Sequence, residues 1–225
     1  MTRGAARLAR ETSQRAQAAG GADAKDADGR VRILDAAERL FDERGIDGVS
    51  LRTVTAASGH RNASAIQYHF GGRKGLVEAV LMRHRDGVEL ARARLLDELE
   101  QAGPIEPESA VRAALEPLVA LLAEPGGRRY LRLLFQASVH PSFSDYPATA
   151  FATSMTRVVK YAGPLIDRVP ANSQIPRLRL GVRLILLALA DRARTIDASG
   201  ATPSGTSLAA LTTELTRVVI AAIVA

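Results

Sequence analysis

The sequence contains no cysteine and no tryptophan, and aromatic residues make up only 4% of its 225 positions. Without cysteine there can be no disulfide, no thiolate zinc site and no thiol nucleophile. The shortage of aromatics, set against abundant Ala, Leu, Val and Arg, argues for helix over sheet. Strands favour β-branched and aromatic side chains, whereas Ala, Leu and Arg are strong helix formers. Apolar runs such as 184–190 and 218–225 fall short of the roughly 20 residues of a bilayer span. The first residues lack the apolar core of a signal peptide, so a cytoplasmic protein that binds no membrane is expected. No glycine-rich nucleotide loop and no nucleophile elbow occur. His84 and His140 stand alone, without ligand partners at metal spacing. Catalytic residues, a metal and a cofactor are therefore not expected, and an enzyme is disfavoured.

The most informative absence is local. Between Asp47 and Glu78 there is no acidic residue, while Arg52, Arg61, Arg73 and Lys74 are all basic. A polar, partly aromatic and acid-free surface is what lies against phosphates and reads base edges. The net charge of +6 is compatible with nucleic acid but decides nothing alone. At 47% hydrophobic and 24% charged residues, the chain can build a sizeable core.

Taken in order, residues 1–27 are rich in Ala, Arg, Gly and Asp, with Leu8 the only large apolar side chain. They are expected to form a disordered basic arm, or one that reaches along DNA. From Asp28, a candidate N-cap, the residues Val31, Leu34, Ala37, Leu40 and Phe41 recur at helical spacing. The predicted helix runs over 29–44 and stops at Gly45. Ser50 can cap a second helix over 51–58, which Gly59 closes. Residues 60–62 form the turn, 63–69 a third helix, and Gly71 and Gly72 break it. Further helices are predicted over 73–101, 108–123, 127–139, 147–169, 176–197 and 207–225, each bounded by Pro, Gly or Ser. No strand pattern and no internal repeat occur, so the chain is predicted to be all-α.

The segment RILDAAERLFDERGIDGVSLRTVTAASG, followed by SAIQYHFGGRKGLVEAVL, resembles the TetR family of bacterial transcription regulators. The resemblance covers about residues 30 to 82 and rests on three features. These are Ala-Ala-X-X-Leu-Phe before a glycine, a Ser-Leu-Arg helix start, and Tyr-His-Phe ahead of a basic helix start. It implies an arm over 1–27, a helix-turn-helix domain over 28–75, and a helical ligand-binding and dimerisation domain over 76–225. In such a motif the second helix enters the major groove with its N-terminal residues against base edges. That places Arg61, Asn62, Ser64 and Ala65 at the bases, with Gln67 a turn later. Tyr68, His69, Arg73 and Lys74 fall to phosphates, and Arg52 and Thr53 border the groove from the second helix. Leu51, Val54, Ile66 and Phe70 read as core. Three positions depart from the common family pattern: the turn at 60–62 is one residue longer, Gln67 replaces Tyr, and Arg73 replaces Lys.

The resemblance also implies a cavity for a small effector in the second domain, where Arg128, Phe135, Gln136, His140, Phe151 and Met155 are candidate ligand contacts. The segments 176–195 and 207–225 are too apolar to cover only one side of a small domain. The family pairs its last two helices across a homodimer, which implies an inverted-repeat operator in double-stranded DNA. The expected function is a repressor released by a small molecule. The alternative is a helical interaction protein, or a regulator controlled by a protein partner.

Overall fold

The computed structural model describes residues 27–60, 64–143 and 152–224. Among these residues every regular element is helical, with no strand. The first helix, α1, occupies 27–44. It is followed by α2 (Leu51–Ala57), α3 (Ser64–Phe70), α4 (Arg73–Ala102), α5 (Pro107–Ala120), α6 (Pro125–Val139), α7 (Ala152–Ile166), α8 (Ala171–Ser199) and α9 (Gly205–Val224). A 3-10 turn over Leu121–Ala123 joins α5 to α6. The expected arm, up to residue 26, lies outside the described residues, while Ala27 already belongs to α1.

Most of the punctuation expected from the sequence is present. Gly45 adopts φ 79° and its N–H donates to the Phe41 carbonyl at 2.9 Å, closing α1. Ser50 caps α2 by accepting from the Thr53 N–H at 3.0 Å. Two starts differ. Asp28 lies inside α1 and pairs with Arg32 one turn on, at 2.6 Å, rather than capping the helix. Pro176 does not begin α8, which starts five residues earlier at Ala171. Pro176 is the sixth residue of α8, so the helix runs past it with the N–H bond to the Asn172 carbonyl missing.

In α1 the buried stripe differs from the expected one at a single residue. Val31 is 47% exposed, and Ile33, Leu34, Ala37, Leu40 and Phe41 carry the core contact. Val54 and Ile66 are fully buried between the short helices, with Leu51 and Phe70 packed against the same core. From there the apolar cluster continues without a break through Leu76, Val80 and Val88 of α4 to Leu134, Leu189 and Val219. The long helix α4 is thus shared by the N-terminal helices and the C-terminal bundle. Within the bundle α5 packs against α4, α7 and α9, and α6 packs along α8.

A buried arginine interrupts the apolar interior of the bundle. Arg92 is 1% exposed. Its Nε and Nη2 donate to the Ala114 carbonyl, and Nη1 donates to Glu89 and to Ser154 Oγ at 3.1 and 2.9 Å. Ser154 in turn donates its N–H to Glu89 at 3.1 Å. A buried ion needs this degree of hydrogen bonding to offset its lost hydration, and the network ties α4, α5 and α7 together.

Two glycines of α4 differ sharply in surroundings. A Cβ at Gly75 would overlap the Phe70 carbonyl oxygen, so the tight junction of α3 with α4 requires glycine there. At Gly87 nothing lies within 4 Å of the same position. Gly75→Ala should destabilise the protein by about 1–3 kcal/mol through overpacking. Gly87→Ala should stabilise it by up to about 1 kcal/mol by removing backbone freedom from the unfolded chain. Denaturant titration of the two variants beside the parent checks both signs.

Candidate functional site

The described residues of the acid-free stretch present a polar and basic surface. Arg52 on α2, Ser64, Gln67 and Tyr68 on α3, and Lys74 at the head of α4 are exposed, with Tyr68 at 80%. Thr53, Ala65, His69 and Arg73 are half-buried around them. Arg61 and Asn62 lie outside the described residues. The face is rigid because its apolar side is buried through Val54 and Ile66 and its edges are tied back. His60 reaches the Gly29 carbonyl of α1 at 3.1 Å, and the Arg30 guanidinium sits 5.3 Å from the centre of the Phe70 ring. Tyr68 and His69 stack edge to face with centroids 5.0 Å apart.

Arg73 faces inward. Its Nη1 donates to the Ile46 carbonyl at 2.8 Å and its Nη2 to the Val49 carbonyl at 2.6 Å. The expected phosphate ligand therefore holds the α1–α2 loop onto the start of α4. Lys74 is exposed, and among the described residues its ion-pair partner is Glu78, at 3.9 Å. Such a pair is worth little in water and leaves the ammonium available. No side chain caps the first turn of α4, so its N–H groups and dipole add to the positive field there.

Behind this face lies a ladder of ion pairs. The acidic side of α1 and its following loop meets basic side chains of α4 and α6. Arg83 pairs with Asp35 at 2.8 Å and with Glu38 at 3.1 Å, and Arg129 reaches Glu38 at 3.2 Å. Arg132 grips Asp42 with two parallel bonds, both 2.7 Å, and contacts Asp197 of α8 at 2.6 Å. Gln136 accepts from the Ile46 N–H at 3.2 Å, and His140 meets Asp47 at 3.1 Å.

Burial alone would raise the Glu38 carboxyl. The hydrogen bond and charge of His84, together with Arg83 and Arg129, outweigh it and hold Glu38 below the usual range. Asp197 behaves alike: its desolvation is outweighed by the hydrogen bonds from Arg128 and Arg132. Arg132 is raised, mainly by its bond to Asp42.

The candidate ligand contacts do not converge. Arg128 is engaged with Asp197 and the carbonyls of Leu122 and Ala123. Gln136 and His140 belong to the ladder, Phe135 packs on the main core, and Phe151 lies outside the described residues. Only Met155 borders the apolar cavity that opens between α5, α7, α8 and α9.

Sequence reasoning missed the ladder, and of the lining of the cavity it expected in the second domain it named only Met155. A usable signal existed for the ladder: Asp35, Glu38 and Asp42 repeat at helical spacing on α1, as do Arg129, Arg132 and Gln136 on α6. The cavity left none, because its walls come from four separate apolar stripes that read as core.

Comparison with known proteins agrees with this geometry. Residues 33–80 match the family described as bacterial regulatory proteins, tetR family. A crystal structure of a TetR family transcription regulator from Marinobacter aquaeolei VT8 superposes with TM-score 0.58 at 14% identity, covering 88% of this chain and 97% of that one. A TetR-like transcriptional regulator from Rhodococcus sp. RHA1 gives TM-score 0.52 at 18% identity, covering 86% and 96%. At such identities the likeness establishes the fold. A search of curated proteins gives no match.

The ladder carries a pH signature. Because the folded Glu38 carboxyl lies below its unfolded value, its stabilisation is complete above the unfolded value and is lost as pH falls through the folded one. Glu38→Gln should cost about 1–3 kcal/mol at neutral pH. The gap in thermal midpoint from the parent should hold through the ordinary glutamate range and narrow only as pH falls below it. Melts carried below that range would contradict the assignment if the gap stayed constant.

Proposed function

Through residues 33–80 the chain belongs to the TetR family of bacterial regulatory proteins, and from that premise we propose a dimeric, cytoplasmic and non-enzymatic transcription regulator. It acts as a repressor that binds an inverted-repeat operator in double-stranded DNA and is released by a small molecule. The observation that carries this reading is the acid-free face, with Arg52, Ser64, Gln67 and Tyr68 exposed on two short helices that bury Val54 and Ile66, and Lys74 exposed at the head of α4.

In this reading the start of α3 enters the major groove. Arg61, Asn62, Ser64 and Ala65 approach base edges, with Gln67 on the rim. Tyr68, His69 and Lys74, together with Arg52 and Thr53 of α2, hold phosphates and set the register. Arg73 contributes mainly by fixing the loop at Ile46 and Val49 beneath Lys74.

Support for a dimer comes from α8 and α9. Leu180 and Leu187 on α8 and Val218 on α9 are 59%, 45% and 39% exposed. Helix α9 is 20 residues long with mean hydropathy 1.6, and only 22% of that stretch is buried within the chain. By length and composition it meets the description of a membrane span, which the separate apolar runs of the sequence did not suggest. Its other side carries Thr212, Leu215, Thr216 and Val219 into the fold, and Glu214 and Arg217 lie on its exposed side. A second copy of the same surface fits that pattern better than lipid does.

Coupling between effector and operator has a physical carrier in Arg132, which joins Asp197 of α8 to Asp42 of α1. A shift of α8 would change the seat of α1 beneath the reading face.

Three outcomes are expected. Tyr68→Ala and Lys74→Ala should each weaken binding to a duplex operator about tenfold or more in gel shift, without loss of the folded dimer. Parent affinity should fall steeply with rising salt, as counterions displaced from phosphates return; a flat salt profile would argue against a DNA surface here. Changing Ser64 should alter the preferred sequence in a selection from random duplexes. For the dimer, the double variant Leu180→Glu, Leu187→Glu should run as a monomer in light scattering, and an unchanged dimer mass would place the interface elsewhere.

A further inference from the structure

One turn of α1 holds α3 at both ends. Helix α3 has seven residues, and of its described residues Ile66 is the buried one. A helix this short is marginal by itself in water, and a single buried side chain does little to fix its tilt. Its aim therefore depends on what grips its ends. The Arg30 guanidinium lies 5.3 Å from the centre of the ring of Phe70, the last residue of α3. Its neighbour Gly29 is met by His60, which stands in the chain just ahead of α3.

The backbone places His60 before its side chain acts. Gly59 takes φ 75° after the last turn of α2, and its N–H donates to the Ala56 carbonyl at 3.2 Å. The His60 N–H donates to the Thr55 carbonyl at 3.1 Å. This pair of bonds satisfies the last carbonyls of a helix that ends on glycine. The imidazole then crosses to α1. A carbonyl oxygen can only accept, so Nε2 carries the proton and donates to the Gly29 carbonyl at 3.1 Å.

Residue 29 is fitted to that ring. A Cβ there would sit 3.0 Å from Cε1 of His60 and 3.2 Å from Nε2, closer than carbon atoms ordinarily pack. Glycine inside a helix is a cost relative to alanine. Gly29 lies within α1 and its φ is not positive, so its own backbone gives no reason for glycine. The ring of His60 does.

We propose that Gly29 and His60 are paired positioning residues that set the aim of α3 and thereby the operator sequence it reads. Neither touches DNA in this role. Arg61 and Asn62 follow His60 directly in the chain, so the imidazole fixes the point from which they depart toward base edges. The inference rests on the reading above that the start of α3 enters the major groove, and it adds two residues outside the groove that govern specificity. A long charged side chain can follow a phosphate through a small change of angle, whereas a base edge must be met in register. Loosening the pair therefore costs specific binding more than general binding.

The test uses the full-length protein and two duplexes of equal length: the sequence that the parent selects from a random pool, and a scrambled control. Affinities are followed by fluorescence anisotropy across a salt series. His60→Ala should weaken binding to the selected duplex about tenfold, the worth of one base-reading contact. It should leave the control affinity and the salt slope close to the parent, since phosphate contacts set both. His60→Gln, whose amide N–H can reach the same carbonyl, should recover most of the loss. Gly29→Ala should weaken selected binding about fivefold or more, although alanine is the better helix former. In the double variant the losses should not add, because the new methyl then has no ring to displace.

Parent-like preference in His60→Ala and Gly29→Ala would overturn the inference. So would a His60→Gln no better than His60→Ala, additive losses in the double variant, or equal loss on both duplexes. Should His60→Ala fail to fold, Gly29→Ala and His60→Gln carry the comparison. A parent that binds no duplex would overturn the reading above and this inference with it. A parent that discriminates between the duplexes while its variants match it overturns this inference alone.

Discussion

Arg132 grips Asp42 of α1 through two parallel hydrogen bonds and holds Asp197 of α8 with a third. Planar guanidinium is suited to this, because its fixed fork fits a carboxylate edge on and has donors left for a second partner. The Asp42 and Arg132 side chains are only 12% and 13% exposed, so solvent screens the pair less than a surface contact. Above it Arg83 and Arg129 share Glu38, and below it Gln136 and His140 hold the loop at Ile46 and Asp47. The N-terminal helices meet the bundle through this seam and through the apolar cluster beneath it. Apolar packing sets how closely α1 lies, while directional bonds set where along α6 it lies.

That seam gives the acid-free face its meaning. Carboxylates are needed on α1 to seat it against α4 and α6, yet carboxylates on α2 and α3 would repel phosphate. The chain keeps them apart by placing the acidic side of α1 inward and leaving none between Asp47 and Glu78. The same economy appears at Arg73, whose charge is used to close the α1–α2 loop on Ile46 and Val49. Its neighbour Lys74 keeps its ammonium in solvent. A rigid, buried inner side formed by Val54 and Ile66 lets the outer residues of α3 vary without loss of the fold.

The C-terminal helices carry two kinds of apolar surface that composition alone cannot separate. One points outward through Leu180, Leu187 and Val218 and suits another protein surface. The other points inward around Ala162, Gly181 and Ile223 and leaves a lined space. Both arise because α8 and α9 are apolar on more than one side, and a monomer can bury only part of such a helix.

By itself the sequence determined the helices, their stops at Gly45 and Gly59, the Ser50 cap and the buried roles of Val54 and Ile66. Each follows from contacts within a few residues, or from a periodicity that any solvent-exposed helix must show. The acid-free window was equally legible, because the absence of a charge type needs no coordinates. Tertiary structure alone decided what the long-range pairs do. Gln136 and His140 look like polar groups waiting for a ligand, and they are instead bonded to Ile46 and Asp47, some ninety residues away. Arg73 looks like a phosphate clamp and is turned onto two carbonyls. A hydrogen bond is spent wherever geometry brings donor and acceptor together, and that meeting is set by packing between helices, not by spacing along the chain. The cavity is the extreme case: it is a place where four apolar stripes fail to touch.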